Sequence, residues 1–185
     1  MVILRKKIWV ISFILIILTS VFVIKYYNKG NNTSIENKKE NVTSNEKEKP
    51  KKIQSIDFKL VDMDGKQVTL SQFKGKKVFI NFWATWCDYC KIEMKDIQKL
   101  YDETKDKNIV ILAIDVGESQ SKVKNFLDSN NYNFNVLLDK DQEIAKAYGI
   151  QGFPTSLFVD EEGYVYSGIQ GGMSIEMMRK ELFLK

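Results

Sequence analysis

Apolar and polar positions divide the chain into three stretches. Residues 8–24 (IWVISFILIILTSVFVI) run for 17 positions without a charge, preceded by Arg5, Lys6 and Lys7 and closed by Lys25. A helix rising about 1.5 Å per residue over that run spans roughly 25 Å. Val2–Leu4 and snorkelling flanking cations extend it toward the hydrocarbon core of about 30 Å. The run outlasts a signal-peptide core, and Lys25-Tyr26-Tyr27 follows instead of a small-residue cleavage site. An uncleaved membrane anchor over residues 1–27 is therefore expected. The basic cluster before the span is expected to keep the N-terminus cytoplasmic and send the remainder outside the cell membrane. Residues 28–52 are Asn, Lys, Glu, Ser and Thr, with Ile35 and Val42 the only aliphatic side chains. Such a segment buries too little apolar surface to offset its ordering entropy and reads as a polar tether.

From Ile53 onward the pattern changes to short apolar runs separated by turn residues and helical spacings. Phe58–Val61 and Gln67–Leu70 flank a turn at Asp62–Gly65, predicting an N-terminal hairpin, and Ser71 is placed to cap a short turn ended by Gly75. Val78–Trp83 and Asn108–Val116 are nearly continuous apolar runs, as for strands buried on both faces. Between them Ile92, Met94, Ile97, Leu100 and Tyr101 mark a helix from about Asp88 to Lys105. A second helix is expected over Glu118–Asn130, a strand at Val136–Leu138, and a helix capped by Asp141 and stopped by Gly149. Thr155–Val159 and Tyr164–Gly168 suit a closing hairpin, and Ser174 caps a last helix toward Phe183. Alternating strands and helices over residues 53–185 predict one α/β domain with a mixed central sheet flanked by helices.

Charge changes this picture little. The first 52 residues hold 11 basic and 4 acidic side chains, leaving 17 basic and 20 acidic in the remainder, so the net positive charge belongs to the anchor and tether. The folded part offers nucleic acid no basic surface, and no nucleic-acid partner is expected. The chain has 2 cysteines and no histidine. A four-ligand Cys/His zinc site within one chain, a histidine-dependent triad and c-type haem attachment (position 91 is Lys) are excluded, and no metal or cofactor is expected.

The cysteines are Cys87 and Cys90, three apart, where a buried strand hands over to a helix. The helix N-terminus favours a thiolate at the first position. The second lies one turn on, near enough to close a disulfide. A nucleophilic and a resolving thiol are what disulfide exchange requires. Two structural cysteines at the same spacing would look alike. Context separates the readings, because a C-x-x-C beside a βαβ pattern reads as a redox motif.

Asn81-Phe82-Trp83-Ala84-Thr85-Trp86-Cys87 resembles the thioredoxin signature, and Phe153-Pro154-Thr155 resembles that fold's proline loop. The resemblance implies a thioredoxin-like fold, a cis bond before Pro154, and a substrate face where the backbone of Phe153 grips an extended client. Within the fold the chain is most similar to membrane-anchored ResA/TlpA-type proteins, with an inserted helix–strand unit from Glu118 to about Leu138. In that group a glutamate three residues after the second cysteine assists proton movement, which assigns the role to Glu93. Helical spacing agrees, placing Glu93 on the same face as Cys90. Asn81 stands where many thioredoxins carry a buried aspartate, leaving Glu93 as the carboxylate near Cys90. Tyr89 replaces the proline usual before the second cysteine. Asp88 in the first turn is expected to disfavour a neighbouring thiolate, which favours a reductant. Trp86 and Tyr89 are candidates for an apolar lip around the pair, Trp86 for substrate contact, and Trp83 for the core.

The expected function is an extracytoplasmic thiol–disulfide oxidoreductase that reduces client proteins, using Cys87 and Cys90 as a redox-active disulfide. The resemblance implies clients such as apocytochrome c or envelope proteins, and a membrane electron donor of the CcdA type. The competing readings are a peroxiredoxin-like thiol peroxidase, a dithiol oxidase and a tethered binding module with structural cysteines.

Overall fold

The computed structural model describes residues 53–184 together with Lys25; apart from Lys25, the expected anchor (1–27) and tether (28–52) lie outside the described residues. The sheet is organised by β4 (Lys77–Trp83), whose alternate side chains enter two different cores. Phe79 and Trp83 enter one, and Val78, Ile80 and Phe82 enter the other. β5 (Ile109–Val116) repeats the division, with Ile111 and Ala113 on the first face and Leu112, Ile114 and Val116 on the second. A strand apolar on both faces belongs between two covering layers.

β4 and β5 pair in parallel from Lys77↔Ile109 to Trp83↔Asp115, and β6 (Val136–Asp139) joins β5 in parallel. Parallel neighbours need crossovers. These are α1 (Asp88–Thr104) and α2 (Gln120–Asn130), which press Met94, Ile97, Leu100, Val123 and Leu127 onto the Phe79/Trp83 face. On the other side of β4, β7 (Thr155–Val159) and β8 (Tyr164–Gln170) continue the sheet antiparallel. The hairpin of β2 (Lys59–Asp62) and β3 (Gln67–Thr69) attaches antiparallel to β6, and β1 (Ile53–Gln54) edges β8. The strand order is β1-β8-β7-β4-β5-β6-β2-β3. α4 (Ile175–Glu181) covers the first face through Met178, while α3 (Glu143–Ala147) covers the second through Ala145. The mixed sheet, the N-terminal hairpin and the inserted α2–β6 unit agree with the expected thioredoxin-like α/β architecture.

Three local expectations need correction, and one strand was not expected. Ile92 fits the helical spacing of α1 yet is exposed, one position outside the stripe that Met94 and Ile97 bury. Asp141 does not cap α3; the buried Asp139 carboxylate accepts the N–H groups of Ile144 and Ala145 instead. Ser71 lies inside a short 3-10 turn (Leu70–Phe73) rather than capping it, and its N–H is received by Asp57. β1, two residues long, had no sequence signal at all. Ser174 does cap α4, accepting from the Met177 N–H.

Candidate active site

β4 ends at Trp83, and Ala84-Thr85-Trp86 carries the chain over the sheet edge into α1. Cys87 has extended backbone geometry (φ −83°, ψ 111°) and is the N-cap of α1. Its Sγ accepts the Cys90 N–H at 3.2 Å, the place a Ser or Asp oxygen takes in an ordinary cap. An N–H aimed at the sulfur, with the positive end of a 17-residue helix behind it, favours the thiolate once the pair is reduced. The two sulfurs are joined in a disulfide with Cα atoms 5.2 Å apart. Cys90 is fully buried, while Cys87 retains 6% of its surface, so an incoming disulfide reaches Cys87 alone.

Around Cys87 the surface is aromatic. Trp86 and Tyr89 are exposed by 60% and 72%, whereas Trp83 is buried in the core as expected. Phe153 packs edge-on against Trp86 with ring centroids 5.9 Å apart, which brings the loop containing Pro154 against the residue preceding Cys87. The Phe153–Pro154 bond is cis, and the Pro154 carbonyl receives the Gly171 N–H at 2.8 Å. Gly172 lies near the backbone of the redox turn, since a Cβ there would stand 3.9 Å from the Tyr89 carbonyl oxygen.

Glu93 is buried beneath this turn, with only 2% of its surface exposed. Its Oε1 accepts the Met173 N–H at 3.2 Å and its Oε2 the Asn81 side-chain amide at 3.4 Å. Burial pushes its pKa up to about 7, against the lowering effect of those two donors, with the Asp96 carboxylate adding to the rise. A carboxyl balanced near neutrality one helical turn from Cys90 is suited to exchanging a proton with it. Asn81 also donates to Ser156 Oγ at 3.0 Å, so one amide links β4, α1 and the strand after Pro154. The asparagine was noted in the sequence, but its serine partner, 75 residues away, was not.

Asp88 behaves differently from the sequence expectation. It points to solvent and pairs with Lys91 at 2.8 Å, which holds its carboxyl below the usual range. An exposed, neutralised carboxylate has little influence on Cys87. A second acidic cluster, Asp115 with Glu118, was not singled out in the sequence. Its signal was a lone carboxyl inside the apolar run NIVILAIDV. Among the described residues no group of three or more acidic or sulfur side chains is placed to hold a metal ion.

The sequence pattern of the AhpC/TSA family matches residues 53–167. The chain is 41% identical over 125 residues to the thiol-disulfide oxidoreductase ResA of Bacillus thuringiensis subsp. konkukian, covering 68% of this chain and 72% of that protein. It is 40% identical over 121 residues to ResA of Bacillus subtilis, covering 65% and 68% respectively. Among solved structures, a putative thiol:disulfide interchange protein DsbE from Chlorobium tepidum superposes with a TM-score of 0.67 at 25% identity, over 71% of this chain and 94% of that one. StoA from Bacillus subtilis superposes with a TM-score of 0.62 at 26% identity, over 69% and 96%.

Proposed function

Because the chain belongs to the AhpC/TSA family and is a thiol–disulfide oxidoreductase related to ResA, we propose that it is a reductant of client-protein disulfides, tethered outside the cytoplasm by residues 1–27. The observation that carries this reading is a disulfide at a helix N-terminus that reaches the surface only at Cys87, with the Glu93 carboxyl buried one turn on from Cys90. In the reduced protein the Cys87 thiolate attacks one sulfur of a client disulfide. The other client sulfur leaves with the electron pair and takes up a proton. Glu93 then accepts the Cys90 proton, and the Cys90 thiolate attacks Cys87 Sγ. The second client sulfur is released as a thiol, and Cys87–Cys90 closes to the disulfide seen here. Two electrons have passed from the protein to the client. A membrane dithiol donor of the CcdA type returns them.

Trp86 and Phe153 supply an aromatic platform for an extended client segment, and Pro154 fixes the backbone beside it. Apocytochrome c and envelope proteins are the clients this reading favours, since both need reduced cysteines outside the cytoplasm. The test is the reduction of insulin disulfides by the full-length chain, with a redox titration of Cys87/Cys90. Activity lost in Cys87→Ser and a potential of roughly −250 mV or lower support the reading. A potential near −120 mV, typical of an oxidant, would overturn it.

A further inference from the structure

Two buried acids flank the redox turn, one on α1 and one just beyond the end of β5. Glu93 serves Cys90. The second is Glu118, 93% buried, which grips Thr85 at two points. Oε2 accepts the Thr85 N–H at 2.5 Å and Oε1 the Thr85 hydroxyl at 2.8 Å. Thr85 lies two residues before Cys87, in the span that aims the nucleophile, and the Ala84 carbonyl receives the Cys87 N–H at 3.2 Å. A grip on both the backbone N–H and the side chain of one residue fixes its position and its orientation. Gly117, at φ +82°, makes the turn that brings Glu118 back from the end of β5.

Behind Glu118 lies Asp115, with no exposed surface, its carboxyl facing the carboxyl and the backbone N–H of Glu118. We propose that Glu118 and Asp115 are a positioning pair sharing one proton, and that this proton sets how firmly the Thr85–Cys87 segment is held for disulfide exchange. Two carboxyls in contact are both acceptors, and one must carry a proton for the contact to hold. The shared proton belongs to Asp115. Burial, with Glu118 beside it, pushes Asp115 up to about 8. Burial alone would raise Glu118 too, but the Lys122 ammonium and the Thr85 donors hold it below the usual range.

The groups facing Asp115 are few. Its register neighbours on the same sheet face are Trp83 of β4 and Leu138 of β6, both uncharged. Asp139 pairs with Val116 and so projects to the opposite face. From α2, Lys122 reaches Glu118 at 2.5 Å. From α1, Glu93 is turned toward Asn81 and Met173 instead. When Asp115 ionises, the Glu118 carboxylate faces a like charge, and its grip on Thr85 weakens.

The inference rests on exchange at Cys87 but not on any particular client, so the test uses a small disulfide. The reduced full-length chain, labelled with ¹⁵N-threonine and held in mild detergent, is titrated between roughly pH 6 and 9.5. The Thr85 amide resonance is expected to shift with a midpoint near pH 8, and the step to vanish in Asp115→Asn. In parallel, exchange of the reduced protein with 5,5′-dithiobis(2-nitrobenzoate) should show an inflection at the same pH that Asp115→Asn lacks. Glu118→Ala should slow the exchange about tenfold and Glu118→Gln, which keeps an acceptor for Thr85, should restore most of it. If Glu118→Ala fails to fold, the Asp115→Asn and Glu118→Gln measurements decide. A Thr85 amide insensitive to pH, a step that survives Asp115→Asn, or a folded Glu118→Ala that exchanges at the wild-type rate would overturn the proposal. A wild-type protein that exchanges with the small disulfide but reduces no protein client would instead count against the client-reductant reading.

Discussion

Glu93 Oε1 accepts the backbone N–H of Met173 at 3.2 Å, so the acid beneath Cys90 is held by the loop that packs against the redox turn. Its other oxygen is held by Asn81 at 3.4 Å. A carboxyl fixed at both oxygens exchanges its proton without reorganising, which is the property a relay to Cys90 needs. Glu93→Gln keeps the shape and removes the titration. Wild-type turnover in insulin reduction is expected to rise through about pH 7 as Glu93 ionises and becomes a base. The Gln variant should be slower by about a hundredfold and lack that limb. A pH–rate profile of both proteins checks it, and an unchanged limb would remove Glu93 from the mechanism.

The same group has a stability consequence of definite sign. Glu93 has a folded-state pKa raised to about 7, so the folded protein holds the proton more tightly than the unfolded chain, where the ordinary value of 4.5 applies. The favourable contribution is complete below about pH 4.5 and is lost as the pH rises through 7. Wild type should therefore lose on the order of 3 kcal/mol relative to Glu93→Gln between those limits. Urea denaturation of the oxidised proteins at pH 4.5 and 7.5 measures the difference. Parallel pH dependence in the two proteins would contradict it.

What could be read in the sequence followed local rules. β4 and β5 declared themselves because strands buried on both faces are nearly continuously apolar, and α1 because its buried residues repeat at helical spacing. Cys87, Cys90 and Glu93 lie at the cap and in the first turns of one helix, so the resemblance that singled out Glu93 and the helical spacing agreed. Contacts between distant segments were not readable. Ser156 meets Asn81 because β7 inserts beside β4, and Glu118 meets Thr85 because the β5–α2 turn folds over the sheet edge. The caps failed for a related reason. Asp139 outcompetes Asp141 at α3 through the path of the chain leaving β6, which no residue pattern encodes. Asp88 misled because its effect on Cys87 was judged without the Lys91 partner one turn on.

Trp86 tests the client surface. Its side chain is 60% exposed and its ring contact is with Phe153, so replacing it disturbs little of the core. Trp86→Ala should leave thermal stability almost unchanged, and exchange with a small disulfide should fall by less than about threefold. The KM for a protein disulfide should rise by roughly five- to tenfold, corresponding to loss of an aromatic platform worth about 1 kcal/mol. Equal losses with both substrates would place Trp86 in the chemistry instead, by an effect on Cys87 itself.

Asn81→Asp asks whether the asparagine sets the acid's working range. Asn81 donates to both Glu93 and Ser156, and its donation to Glu93 favours the ionised carboxylate. Aspartate removes that donor and adds a carboxyl of its own against Glu93. Both changes disfavour ionisation of Glu93, because the stabilising hydrogen bond is lost and a like charge is gained. The limb of the pH–rate profile near 7 should therefore move alkaline by about one unit or more, with the plateau rate retained. Asn81→Leu separates the two contributions, since it removes the donor without adding charge and should move the limb by a smaller amount in the same direction. If the aspartate variant moves the limb toward acid, the new carboxyl has taken over as the base for Cys90, and the asparagine's function is to keep that task with Glu93.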